Sequence, residues 1–274
     1  MTRLAEYRDR RELIVNLVLR DLRSRYKRST LGWGWSLLNP LATIAIYWMV
    51  FGQLLKVVPP IGDPSGLRSF VMFMVCGLMP FRFLSDGMSM GTDALLANAN
   101  LIKKVYFPRE LLVMSTVGAL LVSFLIELGV LSALLLVVGN MVILWIPVAL
   151  AVVALTTCFV LGLGFVLAPL NVYLRDVKHL VAIALQVLFY SAPIVYPVTL
   201  VPRHSDVLGM NLPLRAIYEL NPLVTMVSLF RNVFYDLRFP PIGDLAYFSV
   251  WAIGMLVVGH WVFGRLDRRI AEEV

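Results

Sequence analysis

The stretch Arg23–Gly52, RSRYKRSTLGWGWSLLNPLATIAIYWMVFG, decides the fold. Four cations, Arg23, Arg25, Lys27 and Arg28, stand within six residues and lead straight into a Trp-rich apolar run. A soluble nucleic-acid-binding face would not be followed by an almost uncharged stretch of about 20 residues, the length that crosses a bilayer. At a membrane surface the same order is favourable. The cations sit among anionic headgroups, Trp33 and Trp35 at the interface, and the apolar run in lipid.

The whole chain repeats this pattern. Its 274 residues are 59% hydrophobic and 15% charged, against roughly 45–50% and about 25% for an ordinary globular domain. That excess reads as an all-α integral membrane protein. The net charge of +7 does not point to nucleic acid, because the cations cluster between apolar runs and not along one soluble face. Cys76 and Cys158 each fall inside an apolar run and read as small buried hydrophobes. The charged first 35 or so residues do not read as a cleavable leader.

Residues 1–36 are expected to hold an amphipathic interface helix. Leu13, Ile14, Leu17, Val18 and Leu22 recur at helical spacing opposite Arg20, Asp21 and Arg23–Arg28. Packing of this helix on another subunit fits the pattern equally. Residues 37–264 read as six spans, at about 37–57, 69–90 (broken at Pro80), 111–138, 144–168, 180–198 and 245–263. Residues 265–274 form a tail. Seventeen of the 24 Lys and Arg residues fall on the N-terminal side and six on the other, which puts both termini in the cytoplasm. The connection at about 199–244 contains LNPLVTMVSLFRNVFYD, too short to span and bracketed by prolines, and is expected to form outer re-entrant helices.

The connection Asn98–Leu112, NANLIKKVYFPRELL, is expected to form a short helix with Pro108 opening the next one. It offers an apolar-aromatic patch of Ile102, Val105, Tyr106 and Phe107, rimmed by Lys103, Lys104 and Arg109. Such a patch suits a docked partner. A loop resting on the membrane through its lysines suits the residues as well. The segment Asn171–His179 offers a second, smaller contact, or an anchor loop.

No phosphate-binding G-x-x-x-x-G-K-[ST] loop, metalloprotease motif, nucleophile elbow or paired acidic motif between spans occurs. The chain therefore reads as non-catalytic, with no metal site and no cofactor of its own. Ionisable groups inside spans are costly and become candidates for function. Arg82 and Asp86 lie one helical turn apart, and Glu127 has no evident local partner. Aromatic residues that can stack on sugar faces are Tyr47, Trp48, Phe51, Phe81, Phe83, Phe189, Tyr190 and Tyr196, each of which also suits a lipid-facing belt.

Three blocks carry a resemblance: RDLRSRYKRSTLGWGWSLLNPL (residues 20–41), LIKKVYFPRELL (residues 101–112) and ELNPL…FRNVFYD (residues 219–236). Their order across the chain resembles the membrane subunit of bacterial ABC exporters for lipid-linked polysaccharides, such as O-antigen, capsule and teichoic-acid exporters. The resemblance implies a type-2 exporter permease in the bacterial plasma membrane. It implies a homodimer, two copies of a separate ATP-binding subunit that carries ATP and Mg, and a glycan leaving between the two permeases. It also implies roles. Arg23, Arg25, Tyr26, Lys27 and Arg28 would meet lipid headgroups, and Leu101–Arg109 would form the helix coupled to the ATPase. Tyr218, Asn221, Pro222 and Arg231 would belong to the outer re-entrant helices.

Two further classes stay in view. A permease for a drug or small lipid would share the architecture. A gradient-driven transporter would carry matching broken helices in both halves, and none is evident. An integral glycosyltransferase would need acids clustered at one membrane face, and none cluster there.

Overall fold

In lipid, helices gain little from the hydrophobic effect and associate by close packing, so small residues mark where they meet. The computed structural model describes residues 3–26, 34–105, 107–203, 205–207 and 210–273. Its elements are α1 (Arg3–Tyr26), α2 (Trp35–Tyr47, continued by a π-helix Trp48–Leu54), α3 (Phe70–Asp93) and α4 (Ala99–Lys104). Then come α5 (Glu110–Val137), α6 (Ile146–Tyr173), α7 (Val177–Ser191), α8 (Leu214–Glu219), α9 (Pro222–Arg231, continued by a π-helix Asn232–Asp236) and α10 (Ile242–Glu273). A small antiparallel hairpin, β1 (Ser205–Val207) with β2 (Met210–Leu212), precedes α8.

Among the described residues, five segments are long and apolar enough to cross a membrane: Leu37–Leu54, Phe70–Asp93, Glu110–Val137, Val142–Tyr173 and Ile242–Asp267. The expected fifth span, about 180–198, is helical only over α7, so its helical extent is corrected. α7 has 15 residues, about 22 Å of helix against a hydrocarbon core of about 30 Å. The backbone leaves the helix at Ala192 in an extended conformation. The second span is corrected too, since α3 runs unbroken through Pro80. Neighbouring helices tolerate such a proline in membranes by satisfying the freed carbonyl.

α3 is the central post. Of its span 83% is buried, against 11% for the first span, because α5, α6, α7 and α9 all pack on it. α6 and α10 meet most closely. A Cβ on Gly162 would fall 2.5 Å from the Met255 carbonyl carbon, and one on Gly259 would fall 2.9 Å from the Gly162 carbonyl carbon. At the turn between α5 and α6, Asn140 N–H donates to Leu135 O (2.8 Å) and Gly139 N–H to Leu136 O (3.0 Å). These bonds close the helix end and require the left-handed φ of +90° at Gly139.

α1 begins earlier than its periodicity suggested and packs on its own chain. Leu17 and Leu22 are buried, and Leu17 joins Leu111, Leu112, Val113, Phe165 and Phe263 in a cluster separate from the main core. Valine at Gly162 or Gly259 should force α6 and α10 apart, an overpacking cost of about 1–3 kcal/mol. Thermal unfolding in detergent should show a lowered Tm for both, with Gly254→Ala unchanged because a Cβ there meets open space.

Candidate functional site

The short helix α4 is held by the fold and does not hang as a free loop. Ile102 is buried in the cluster beneath α1, and Phe107 packs half-buried against the same cluster. This corrects the expectation of an exposed patch that includes Ile102. What faces outward is Lys103, Lys104 and Val105, the last 52% exposed. Leu101 is half-buried and Pro108 exposed, while Tyr106 lies outside the described residues. α5 starts at Glu110 with Arg109 as its N-cap, so Pro108 stands just before the helix and does not open it.

Arg109 is a further correction, because it is not a free rim cation. Its Nη1 donates to Asp267 O at 2.6 Å and lies 3.1 Å from Asp267 Oδ1, tying the start of α5 to the end of α10. His260 approaches Glu110 at 3.6 Å, and the Tyr173 hydroxyl donates to Leu266 O at 2.7 Å. On the other flank, Arg20 Nη2 donates to Asn98 Oδ1 (2.8 Å) and pairs with Asp21, whose second oxygen accepts from Ser115 (3.1 Å). These links join residues far apart in the chain, and no local motif announces them.

Among the headgroup residues, Arg23 is exposed at the end of α1. Arg25 and Tyr26 belong to the helix, but their side chains lie outside the described residues, as do Lys27 and Arg28 altogether. In Asn171–His179, Asn171 is buried and ends α6 by donating to Thr92 O and Asp93 Oδ1, both at 3.1 Å. Between the end of α6 and the start of α7, the tight turn presents exposed Leu174, Arg175 and Asp176.

The path residues divide. Phe81 and Phe83 are corrected to core positions. Phe83 stacks on Phe124 with centroids 4.6 Å apart, and Phe81 meets Phe189 edge-on at 5.5 Å. Tyr47 and Phe51 turn inward, in line with Phe70 at 5.4 Å from Phe51, while Trp48 points out at 55% exposure. The transition from α-helix to π-helix falls at Trp48 and separates these side chains. Tyr190 is 70% exposed; Tyr196 donates to Tyr190 O and shares a 3.0 Å hydrogen bond with Tyr218. Glu127 lies within electrostatic reach of Arg82 and Asp86 of α3, the first an opposite and the second a like charge. Arg82 is half-buried and Asp86 exposed.

Among the described residues, no group of three His, Cys, Asp or Glu side chains gathers as a metal site. A family model described as ABC-2 type transporter matches residues 12–235. The chain belongs to the ABC-2 type transporter family. It is similar to the O-antigen export system permease protein RfbA of Myxococcus xanthus, 28% identical over 96% of both chains. RfbA of Klebsiella pneumoniae is 29% identical over 95% of this chain and 94% of its own. The polysialic acid transport protein KpsM of Escherichia coli is 24% identical over 89% of each.

In this ABC-2 permease, the segment expected to be re-entrant forms α8 and α9. Asn221 caps α9 by accepting from Leu223 N–H at 3.0 Å, and Pro222 occupies the first helical position, where its missing N–H costs nothing. Arg231, first counted with the outer cations, is instead buried. Its guanidinium donates to Phe73 O (3.2 Å) and Ile194 O (2.7 Å), and stands 3.6 Å from the Phe73 ring centroid.

Beyond α9 the chain knits together the end of the molecule opposite α1 and α4. The Tyr235 hydroxyl sits between the Pro60 and Leu67 carbonyls, Ser65 donates to Tyr235 O (2.7 Å), and Asn140 donates to Phe234 O (2.9 Å). Asp63 N–H donates to Asp236 Oδ1 at 3.3 Å. Burial raises the Asp236 carboxyl above its ordinary range, an effect partly offset by Arg238 and by that N–H. A raised acid stabilises the fold fully below the ordinary Asp value, and this contribution is lost as pH rises through the raised one. Asp236→Asn keeps an acceptor and removes the charge. Its Tm in detergent should exceed wild type at pH 7 and converge with it near pH 4; a pH-independent gap would instead implicate hydrogen bonding.

Proposed function

We propose that this permease is the membrane subunit of an ATP-driven exporter that moves a lipid-linked polysaccharide from the cytoplasmic to the outer face of the bacterial plasma membrane. The observation that carries this reading is the end-to-end similarity to permeases named for O-antigen export, over 96% of both chains in one case. The chain has no phosphate-binding loop of its own, so ATP and Mg belong to a separate ATP-binding subunit.

Two permeases and two ATPase subunits form the working unit. The first span, 11% buried, and α7, which buries only Val177, Val181 and Leu185, leave wide apolar faces where a second copy and lipid pack. The ATPase docks on Lys103, Lys104 and Val105 at the cytoplasmic end. Its movement reaches α5 and α10 through Arg109 and Asp267, and α1 through Asn98 and Arg20. Arg82, Asp86 and Glu127 supply polar groups along the sugar's way through the membrane.

Charge reversal at Lys103 and Lys104 together with Val105→Asp touches only exposed side chains. It should abolish co-purification of a stoichiometric ATP-binding partner from the native host and leave the permease folded. Recovery of no such partner with wild type would move the reading to a gradient-driven transporter. Glu127→Gln should cut export several-fold at unchanged complex yield, read as surface polymer per permease; unchanged export would remove Glu127 from the path.

A further inference from the structure

A cavity of about 540 Å³ lies at the coupling end of the molecule, between the end of α1, the last turns of α3 and the start of α5. We propose that it is a binding site for hydroxyl-rich sugar units of the exported polymer. This inference rests on the polysaccharide-export reading and adds to it a place, within one protomer, where sugars are held before they cross.

The chemistry of the walls selects the ligand. Asp21 and Ser24 come from α1, Ser89 and Asp93 from α3, Asn98 from the turn after α3, and Thr116 from α5. The cation in the wall, Arg20, is committed to Asp21 at 2.9 Å and to Asn98 at 2.8 Å. Arg20 and Asp21 neutralise one another, and Asp93 is left as the net negative charge of the wall, which disfavours a phosphate or pyrophosphate. An acyl or prenyl chain buried there would strand the carboxylate, hydroxyl and carboxamide groups of the wall without water. Neutral polyols fit. Carboxylates accept hydrogen bonds at several lone pairs, and hydroxyl and carboxamide groups both donate and accept.

The acceptors are held in place in advance. Asp21 is fixed on one oxygen by Arg20 and on the other by Ser115, and Asp93 is fixed on one oxygen by Asn171. Positioning of this kind lowers the ordering cost of binding. Met90 adds an exposed apolar surface for the C–H face of a ring. The volume lies within the range of about 300–1,000 Å³ usual for small-molecule sites.

A second observation points the same way. Arg82, Asp86, Ser89 and Asp93 recur at spacings of four, three and four residues, which places them on one face of α3. Thr116, Ser123 and Glu127 do the same on α5, which packs against α3. The polar stripe that ends in the cavity therefore continues along both helices to the Arg82, Asp86 and Glu127 group. A sugar leaving the cavity meets exchangeable hydrogen-bond partners at each turn and not bare apolar wall.

The test is cysteine protection in inverted membrane vesicles from the native host, with the intact permease–ATPase complex. The native Cys76 is buried and Cys158 half-buried, so a membrane-impermeant maleimide reports on an introduced thiol. Ser89→Cys should label several-fold more slowly in vesicles from polymer-making cells than from cells whose chain-initiating sugar transferase is off. The second host keeps the lipid phosphate carrier and lacks the sugars, so equal protection in both would assign the cavity to the lipid headgroup and overturn the proposal. Lys178→Cys, at the exposed start of α7, should label alike in both hosts. Equal, unprotected labelling of Ser89→Cys in cells whose export depends on this permease would refute the cavity alone. Export that survives deletion of the permease would refute the underlying function. Asp93→Asn should in addition lower surface polymer while ATPase co-purification holds; full export with this variant would also count against the site.

Discussion

α7 ends about 8 Å short of a full crossing, and the way its end is satisfied organises half of the molecule. A helix that stops inside an apolar environment leaves carbonyls without donors, and each unsatisfied group there costs several kcal/mol. Here the donors stand at the two ends of α9: Asn221 reaches the carbonyl of Ser191, the last residue of α7, at 3.2 Å, and Arg231 reaches the Ile194 carbonyl just beyond the helix at 2.7 Å. Asn221 caps the start of α9 and Arg231 ends it, so both ends of one helix are spent on the unfinished end of another. Arg231 gains in return the face of Phe73 and the Phe73 carbonyl, which lock α9 to the central post α3. Among the described residues no carboxylate pairs directly with this buried charge, and carbonyl dipoles with an aromatic quadrupole hold it.

The opposite end is built on a different logic. There the partners are ionic and partly exposed: Arg20 with Asp21 and Asn98, Arg109 with Asp267, and His260 near Glu110. Exposed pairs of this kind contribute little stability, about 0–1 kcal/mol. Their use lies in geometry, because they connect α1, the turn before α4, the start of α5 and the end of α10 around one small apolar cluster. A push on α4 is therefore felt at both chain-terminal helices. The buried end is fixed by a network that is costly to break, and the end that carries α4 by contacts that are cheap to rearrange.

Much of this was legible in the sequence because hydropathy and length are local properties. The four long spans after and including α2, and the last one, α10, emerge from apolar runs between cation clusters. α7 was overmeasured because the run Leu180–Val198 stays apolar beyond the helix, although Pro193 and Pro197 were present as stop signals. Pro80 misled in the opposite direction, since a proline that would break an exposed helix is tolerated inside a packed membrane bundle. Side-chain facing was the weaker reading. Ile102, Phe81 and Phe83 are chemically suited to docking or stacking, and only the packing of α4 and α3 decides that they are core. Arg109 with Asp267, 158 residues apart, left no local signal at all.

These points combine at α3. Apart from the bond of Asn171 to Asp93 at its end, the face of this helix toward α6, α7 and α9 is apolar and fixed, carrying Phe73 against Arg231 and Phe81 against Phe189. Its remaining narrow face carries Arg82, Asp86, Ser89 and Asp93 and looks toward α5 and the end of α1. A helix meant only to hold a bundle together would not keep four polar side chains in one line along its length, because each raises the cost of placing it in lipid. The line persists on the side that faces the coupling end's rearrangeable contacts and not on the side locked by Arg231. Rigid packing on one face and polar, adaptable chemistry on the other suit a single helix both to anchor the fold and to border the proposed route for a hydroxyl-rich cargo.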